Sequence, residues 1–112
     1  MFIAIVEIPG PKRSREQAIA GGKASAPTYA GMKGLISKHY LNGDEGAGGV
    51  YIWESREAAE AWYTDAWWPW MEERFGVRPT LKFYDNHLVV DNAAGEVRVD
   101  GEKIELEDAT AG

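Results

Sequence analysis

Two side chains in the first half of the sequence could carry acid–base or hydrogen-bonding chemistry. His39 is one of only two histidines, and an imidazole with an ordinary pKa of about 6.5 is mostly neutral at physiological pH, so it can accept a proton. Tyr51 offers a phenolic hydroxyl that can donate a hydrogen bond to a phenolate or enolate oxygen. His39 and Tyr51 are therefore the candidate catalytic residues. A satisfied histidine at a strand end and a half-buried strand tyrosine are the alternative structural roles.

Aromatic side chains are concentrated in one part of the chain. Four of the five tryptophans lie within nine positions, from Trp62 to Trp70. Such a cluster can form a wall that stacks on a flat apolar ligand and offers indole N–H donors, or it can simply pack a core or a dimer interface. The candidate substrate-binding residues are Trp53, Trp62, Tyr63, Trp67, Trp70 and His87.

Metal and nucleotide chemistry find little support in the residue types. The chain has no cysteine, which excludes thiolate nucleophiles and sulfur-ligated metals. His39 and His87 do not form a spaced pair on one element, so no metal site is predicted, although haem ligation through one histidine stays open. Asp85 and His87 could orient one another or simply belong to a bend. The glycines from Gly43 to Gly49 lie in an acidic hairpin, so no bound nucleotide or other cofactor is expected.

Length and charge limit the partners of this protein. A chain of 112 residues fits one hydrophobic core. The net charge is -6, with 12 basic residues against 18 acidic ones and no basic stripe, so nucleic acid is not an expected partner. Met1 to Ile8 is apolar but lacks a basic leader and is too short for a membrane span, so a cytoplasmic location without membrane association is expected.

The elements that must position these residues are predicted in the order β-α-β-β-α-β. They are a strand over Phe2 to Ile8, a helix over about Lys12 to Tyr29, strands over Gly34 to Leu41 and Gly49 to Glu54 joined by a turn, a helix over Arg56 to Tyr63, a helical segment over Asp65 to Phe75, and a strand over Thr80 to Val90. Asp85-Asn86 is a candidate bend in this last strand. Ser55 and Asp65 are predicted helix caps, and Gly76 is the predicted end of the last helix. Gly21-Gly22 and Pro27 weaken the second half of the first helix. The order predicts a ferredoxin-like α+β fold.

A short tail follows this unit. Val97 and Val99, then Ile104 and Leu106, alternate around Asp100-Gly101, which predicts an extra two-stranded ribbon. The chain is thus divided into an α+β domain over 1–92 and a ribbon with a frayed end over 93–112. The end, Ala109 to Gly112, is expected to fray.

One face of the predicted sheet needs a cover. Ile3 and Ile5 point away from Phe2 and Ala4, and the strand over Gly49 to Glu54 is also apolar on both sides, so neither face is polar enough to meet water. The simplest cover is a second copy of the chain in a homodimer whose two sheets form a barrel. In the alternative, the ribbon covers this face in a monomer.

Three stretches of the sequence resemble a known family. They are Ala26-Pro27-Thr28-Tyr29, Gly34-Leu35-Ile36-Ser37-Lys38-His39-Tyr40-Leu41, and Ala47-Gly48-Gly49-Val50-Tyr51-Ile52-Trp53-Glu54-Ser55. Over roughly Phe2 to Asn92 the chain is similar to the YdhR-type small monooxygenases of the dimeric α+β barrel superfamily, which also holds antibiotic-biosynthesis monooxygenases. The resemblance implies a ferredoxin-like subunit, a barrel-forming dimer and a pocket between sheet and helices, and it places Tyr51 and Trp53 near the ligand.

The resemblance implies a cofactor-independent monooxygenase that acts on a small aromatic or polyketide-like molecule. In this hypothesis His39 removes a proton, the resulting anion reacts with dioxygen, and Tyr51 with the tryptophans holds and desolvates it. Two alternatives stay open, because one fold supports many functions. They are a non-oxidative isomerase, cyclase or dehydratase, and a non-catalytic dimer that binds a small ligand, including haem.

Overall fold

The computed structural model describes residues 1–106 of the chain. Its strands are β1 (Phe2–Pro9), β2 (Leu35–Gly43), β3 (Gly46–Trp53), β4 (Thr80–Asp85), β5 (Leu88–Asp91), β6 (Glu96–Val99) and β7 (Glu102–Ile104), and its helices are α1 (Arg15–Tyr29), α2 (Arg56–Trp62) and α3 (Trp67–Phe75). No helix in this part of the chain is long and apolar enough to cross a membrane.

The main sheet has the strand order β2-β3-β1-β4, and each neighbouring pair is antiparallel. Because β1 and β2 lie on either side of β3, and α1 joins them, the first half is a split βαβ unit. The second half repeats this arrangement with β3, α2, α3 and β4. The predicted ferredoxin-like α+β fold is confirmed.

Alternation along β1 decides which face of the sheet the helices cover. Phe2, Ala4 and Val6 are at most 3% exposed, whereas Ile3 and Ile5 between them are only partly buried. Successive side chains of a strand point to opposite faces, so the first set faces the helices. We call the side of the main sheet that faces the helices the covered face and the other side the open face.

Helix ends follow local capping chemistry. Ser14 accepts a hydrogen bond from the Gln17 backbone while the Gln17 side chain accepts one from Ser14, so α1 begins later than predicted. Ser55 caps α2 and Gly76 ends α3 in the left-handed conformation, as predicted. The predicted cap at Asp65 is wrong, because the residue before α3 is Ala66, which has helical backbone angles and no side-chain cap.

The first helix runs unbroken to Tyr29 despite its glycines and Pro27. Each glycine costs a helix interior about 1 kcal/mol, but tertiary packing overrides such propensities. Tyr29 anchors the end of α1 in the core, where it is 8% exposed. Gly21 also lets the Arg13 side chain lie close to the helix, since a Cβ there would be 2.8 Å from Arg13 Nη1.

A two-residue turn fixes the β2–β3 register. Asp44 and Glu45 connect Gly43 to Gly46, which are paired across the hairpin. Gly46 has a φ of 145°, and a Cβ there would collide with the carbonyl oxygen of Ile8. Both strands therefore continue further toward the turn than predicted. In this register Lys38 is paired with Tyr51.

The end of the chain differs from the prediction. The expected single strand over Thr80 to Val90 is two strands, β4 and β5, which belong to different sheets. The chain leaves the main sheet at Asn86, whose side chain donates to the Leu88 carbonyl at 3.2 Å, a local turn that competes with strand pairing. The predicted two-stranded ribbon corresponds to β6 and β7, and β5 joins them as a third strand. The expected fraying of Ala109 to Gly112 lies outside the described residues.

Candidate functional site

A cavity of about 250 Å³ lies between the covered face of the main sheet and helices α1 and α3. Its lining is mostly apolar or aromatic, with a few polar side chains that converge on one space, as is usual for small-molecule sites. The polar and charged lining residues are Arg13, Ser25, Tyr29, Lys38, Tyr40, Tyr51 and Arg74. None of the lining residues is acidic, although the protein as a whole carries a net charge of -6.

Two other cavities offer less chemistry. One, of about 470 Å³, lies at the end of the sheet, and Glu7 and Glu45 are its charged lining residues. The other, of about 480 Å³, separates part of the open face around Ile3 and Ile52 from β5 and Arg98. Neither brings together several hydroxyl and cationic groups.

A further cavity of about 270 Å³ between the end of α1 and β2 shares Tyr29, Lys38 and Tyr40 with the cavity under the helices. The cavity under the helices adds Tyr51 and two arginines to these residues, so it is the candidate site.

Lys38 is enclosed by tyrosine rings. Its Nζ lies 3.7 Å from the ring centroid of Tyr29, 4.0 Å from that of Tyr40 and 4.8 Å from that of Tyr51. These are cation–π distances, and no carboxylate among residues 1–106 is within ion-pair reach of this ammonium. Burial, together with the charge of nearby Arg74, lowers the pKa of Lys38 to about 8. The site thus holds a partly desolvated cation without a counter-ion.

The strand register builds this cage. Lys38 pairs with Tyr51, and Tyr40 pairs with Gly49, so these four positions share the covered face. A Cβ at Gly49 would lie 3.0 Å from the Tyr51 ring and 3.3 Å from the Lys38 Cε. The absence of a side chain at Gly49 therefore leaves room for the lysine to reach the rings.

Burial keeps the hydroxyls of Tyr29, Tyr51 and Tyr63 protonated. Tyr51 is 3% exposed, and burial raises its pKa, as it does for Tyr29 and Tyr63. The Tyr40 hydroxyl lies 2.8 Å from Ser25 Oγ on α1, and its ring packs against the helix at Gly22. Protonated phenols at a cationic site are donors for an anionic oxygen.

Two arginines add to the positive charge. The backbone N–H of Arg13 donates to Asn42 Oδ1 at 3.1 Å, and Asn42 Nδ2 donates to the Arg13 carbonyl at 2.8 Å. The Nε of Arg13 is buried and has no hydrogen-bond partner in the described part of the chain. Arg74 lies with its guanidinium carbon 4.8 Å from the Trp70 ring centroid. Neither arginine forms an ion pair with a carboxylate of residues 1–106.

The structure does not bring the two candidate catalytic residues together. His39 pairs with Val50, so it projects from the open face, opposite to Tyr51. It is exposed, and its Nε2 lies 3.3 Å from Ser37 Oγ. The strand irregularity falls between Leu35 and Ser37, before His39, and does not change this alternation.

The candidate substrate-binding aromatics form a layer outside the cavity lining. Trp53 and Trp67 are core residues, and Trp62, Tyr63 and Trp70 pack partly buried against them. Tyr63 contacts Trp53 and Trp67 edge-on, with ring centroids 5.7 Å and 5.2 Å away. None of the five lines the cavity. Their packing supports the tyrosines that do.

His87 lies far from this cavity in the fold. Its Nδ1 is 3.0 Å from Asp100 Oδ1, beyond the end of β6, and both side chains are exposed. The considered pairing with Asp85 is therefore replaced by one with Asp100. Within residues 1–106 no group of three or more histidines and carboxylates is arranged to hold a metal ion.

Sequence reasoning missed most of the cavity lining. Arg13, Tyr29, Lys38, Tyr40 and Arg74 are not among the candidate residues of the sequence analysis. A stricter use of the hairpin would have found the lysine, because a two-residue turn at Asp44-Glu45 sets Lys38 opposite Tyr51.

Comparisons with known proteins bear on the fold. No protein-family model matches the sequence, and no curated protein matches it in a sequence search. Among solved structures, the chain is similar to a monooxygenase from the gene ActVA-Orf6 of Streptomyces coelicolor, crystallised with the ligand nanaomycin D. The TM-score is 0.57 and the sequence identity 18%, over 80% of this chain and 89% of that chain. The chain therefore has the fold of a small monooxygenase, and likeness at this identity concerns the fold alone.

Proposed function

We propose that this protein is a monooxygenase without a bound cofactor, which oxidises a small aromatic hydroxy compound in the Lys38 cavity. The observation that carries the proposal is the half-buried Lys38 ammonium, enclosed by three tyrosines and without an acidic partner among the described residues. A desolvated cation of this kind stabilises an aryl oxide or enolate, the electron-rich form that reacts with dioxygen. The fold shared with a monooxygenase supports the same conclusion.

Lys38 replaces His39 as the group that exchanges protons in this proposal. A pKa of about 8 leaves about a tenth of the side chain as free amine near pH 7, and a group that titrates near the working pH is suited to general acid–base catalysis. A neutral amine with a neutral phenol, and an ammonium with an aryl oxide, are the same protonation state of the complex. The complex of ammonium and aryl oxide can therefore form from the free amine with the phenol, or from the ammonium with a substrate that is already ionised.

The reaction balances with dioxygen as the oxidant. The Lys38 amine takes the phenol proton, and the aryl oxide gives one electron to dioxygen. The substrate radical and superoxide then combine to form a C–O bond at a conjugated ring carbon. The lysine ammonium protonates the peroxide, and the amine next removes the hydrogen on that carbon while the O–O bond breaks. The departing hydroxide recovers the proton as water, so a hydroxyarene and dioxygen give a quinone and water.

The tyrosines and the apolar walls of the cavity assist this step. Because burial raises the pKa of Tyr51, its hydroxyl remains a hydrogen-bond donor to the substrate oxygen, and it does not compete as an anion. The mostly apolar cavity replaces water around the reacting anion, which strengthens its attraction to Lys38.

Comparison of turnover in air and under strict anaerobiosis tests the proposal against a non-oxidative enzyme on the same scaffold. The assay uses a panel of hydroxynaphthalenes with product analysis by mass spectrometry. We expect quinone formation only in air, with the added oxygen atom coming from labelled dioxygen. Unchanged turnover without oxygen would reject the oxygenase, and no turnover of any compound would leave a binding protein.

We also propose that two copies of the chain pack through their open faces. Support comes from the apolar side chains there, which include Ile3, Ile5, Val50 and Ile52 and are only partly buried in one chain. β5 overhangs the part near Ile3 and Ile52, but it leaves a cavity between them. A self-complementary interface between two copies of the chain covers the rest of the open face without another protein.

A further inference from the structure

We infer that the substrate carries a carboxylate in addition to its reactive hydroxyl, and that Arg13 and Arg74 bind this carboxylate while Lys38 faces the hydroxyl. The inference rests on the proposed function of the same cavity and adds the class of substrate, a hydroxyaryl carboxylate.

The charge balance of the cavity is the first argument. Three cationic side chains line it, and it has no acidic lining residue. Lys38 and Arg13 are partly buried, whereas Arg74 is exposed, and partly buried cations are costly unless an anion compensates them. One aryl oxide compensates only one of the three charges, so a second anionic group on the ligand fits the site better than a neutral one.

The position of Arg13 is the second argument. Its backbone is held by two hydrogen bonds with Asn42, at 3.1 Å and 2.8 Å. Its Nε is buried without an acceptor among residues 1–106, and a buried donor without a partner costs free energy that a ligand acceptor recovers. The guanidinium packs against α1 at Gly21, where a Cβ would lie 2.8 Å from Arg13 Nη1.

The donor geometry of the two arginines suits a carboxylate. Guanidinium groups present parallel N–H donors that match the two oxygens of a carboxylate. Arg74 lines the cavity from α3 and stands on the Trp70 ring, whereas Arg13 lines it from the segment before α1. A cavity of about 250 Å³ is below the usual size for drug-like ligands, so one or two fused rings are favoured.

The test measures binding without turnover. Quenching of tryptophan fluorescence under anaerobic conditions gives dissociation constants for 1-hydroxy-2-naphthoate, its methyl ester and 1-naphthol. We expect the carboxylate to bind about 10- to 100-fold more tightly than the ester, the range for a hydrogen-bonded charged group. Arg13→Gln and Arg74→Gln should each reduce this preference about 10-fold. The control Arg15→Gln changes an exposed arginine outside the cavity and should keep the preference.

Each outcome separates this inference from the proposed function. Equal affinity for the acid and the ester, or a preference that survives both arginine substitutions, would overturn the inference. If 1-naphthol is nevertheless oxygenated in a Lys38-dependent way, the proposed function survives alone. If the acid binds through both arginines but no aromatic compound consumes dioxygen, the carboxylate site stands and the oxygenase fails.

Discussion

Replacement of Lys38 by methionine is expected to stabilise the fold near neutral pH. Methionine keeps most of the length and the packing on the tyrosine rings but removes the charge. The pKa of Lys38 falls from its ordinary 10.5 to about 8 in the folded protein, so folding disfavours the ammonium. At about 1.36 kcal/mol per pKa unit the penalty has an upper bound of roughly 3.4 kcal/mol. Partial solvation and the cation–π contacts reduce it, so we expect the variant to be about 1 kcal/mol more stable.

The pH profile gives the sharper test of the same charge. Below pH 8 the lysine is protonated in both states, and the wild type carries the full penalty. Between pH 8 and 10 the folded protein releases this proton while the unfolded chain keeps it, so the free energy of unfolding rises with pH. Above about pH 10 unfolded tyrosines ionise, whereas burial keeps the pKa of Tyr51 and Tyr63 raised, so stability falls again.

Urea unfolding followed by tryptophan fluorescence measures both effects. The Lys38→Met variant should be more stable than wild type at about pH 7, and most of this difference should vanish by about pH 10. Lys23→Met, which removes an exposed lysine of α1, serves as the matched control and should show neither change. A Lys38→Met variant that is no more stable than wild type, or a difference independent of pH, would refute the account of this desolvated cation.

Three further predictions concern the fold and its assembly. Gly48→Ala should destabilise the protein by about 1–3 kcal/mol in urea unfolding, because the new Cβ meets the Val6 carbonyl of the paired strand, whereas Gly10→Ala has open space; equal stability of the two variants would contradict this. Ser14→Ala removes the capping box of α1 and should cost about 1 kcal/mol by the same assay, and no loss would reject the cap. Val50→Glu places a charge on the open face and should convert a dimer to a monomer in sedimentation velocity; a dimer that survives it would refute this interface.

Much of the fold could be predicted because its signals are local. These signals depend on neighbouring residues only, and they include the apolar runs of strand length, the cap at Ser55 and the left-handed Gly76. The structure contains the predicted cap and the predicted left-handed glycine. The split of the last strand could not be predicted in the same way. Asn86 turns the chain by bonding to the Leu88 carbonyl, but an asparagine in a bend is also compatible with a continuous, bent strand.

The site was harder to predict than the fold because it depends on register and on packing between distant segments. Alternation alone separates Lys38 from His39, but only the pairing of β2 with β3 shows that the lysine shares its face with Tyr51. Arg13 reaches the cavity because Asn42 holds its backbone, a contact that no local pattern indicates. The clustered tryptophans were predicted to bind the ligand, yet they pack behind the tyrosines that line the cavity.

The most direct test of the central claim is the stoichiometry of dioxygen consumption with a hydroxyaryl substrate, measured with an oxygen electrode beside the amount of quinone formed. We expect one dioxygen consumed for each quinone, and a large loss of this rate in Lys38→Met but not in Lys23→Met. Quinone formation that is equal in the two variants would contradict the role of the Lys38 cavity, and the absence of dioxygen consumption with every substrate tested would contradict the oxygenase itself.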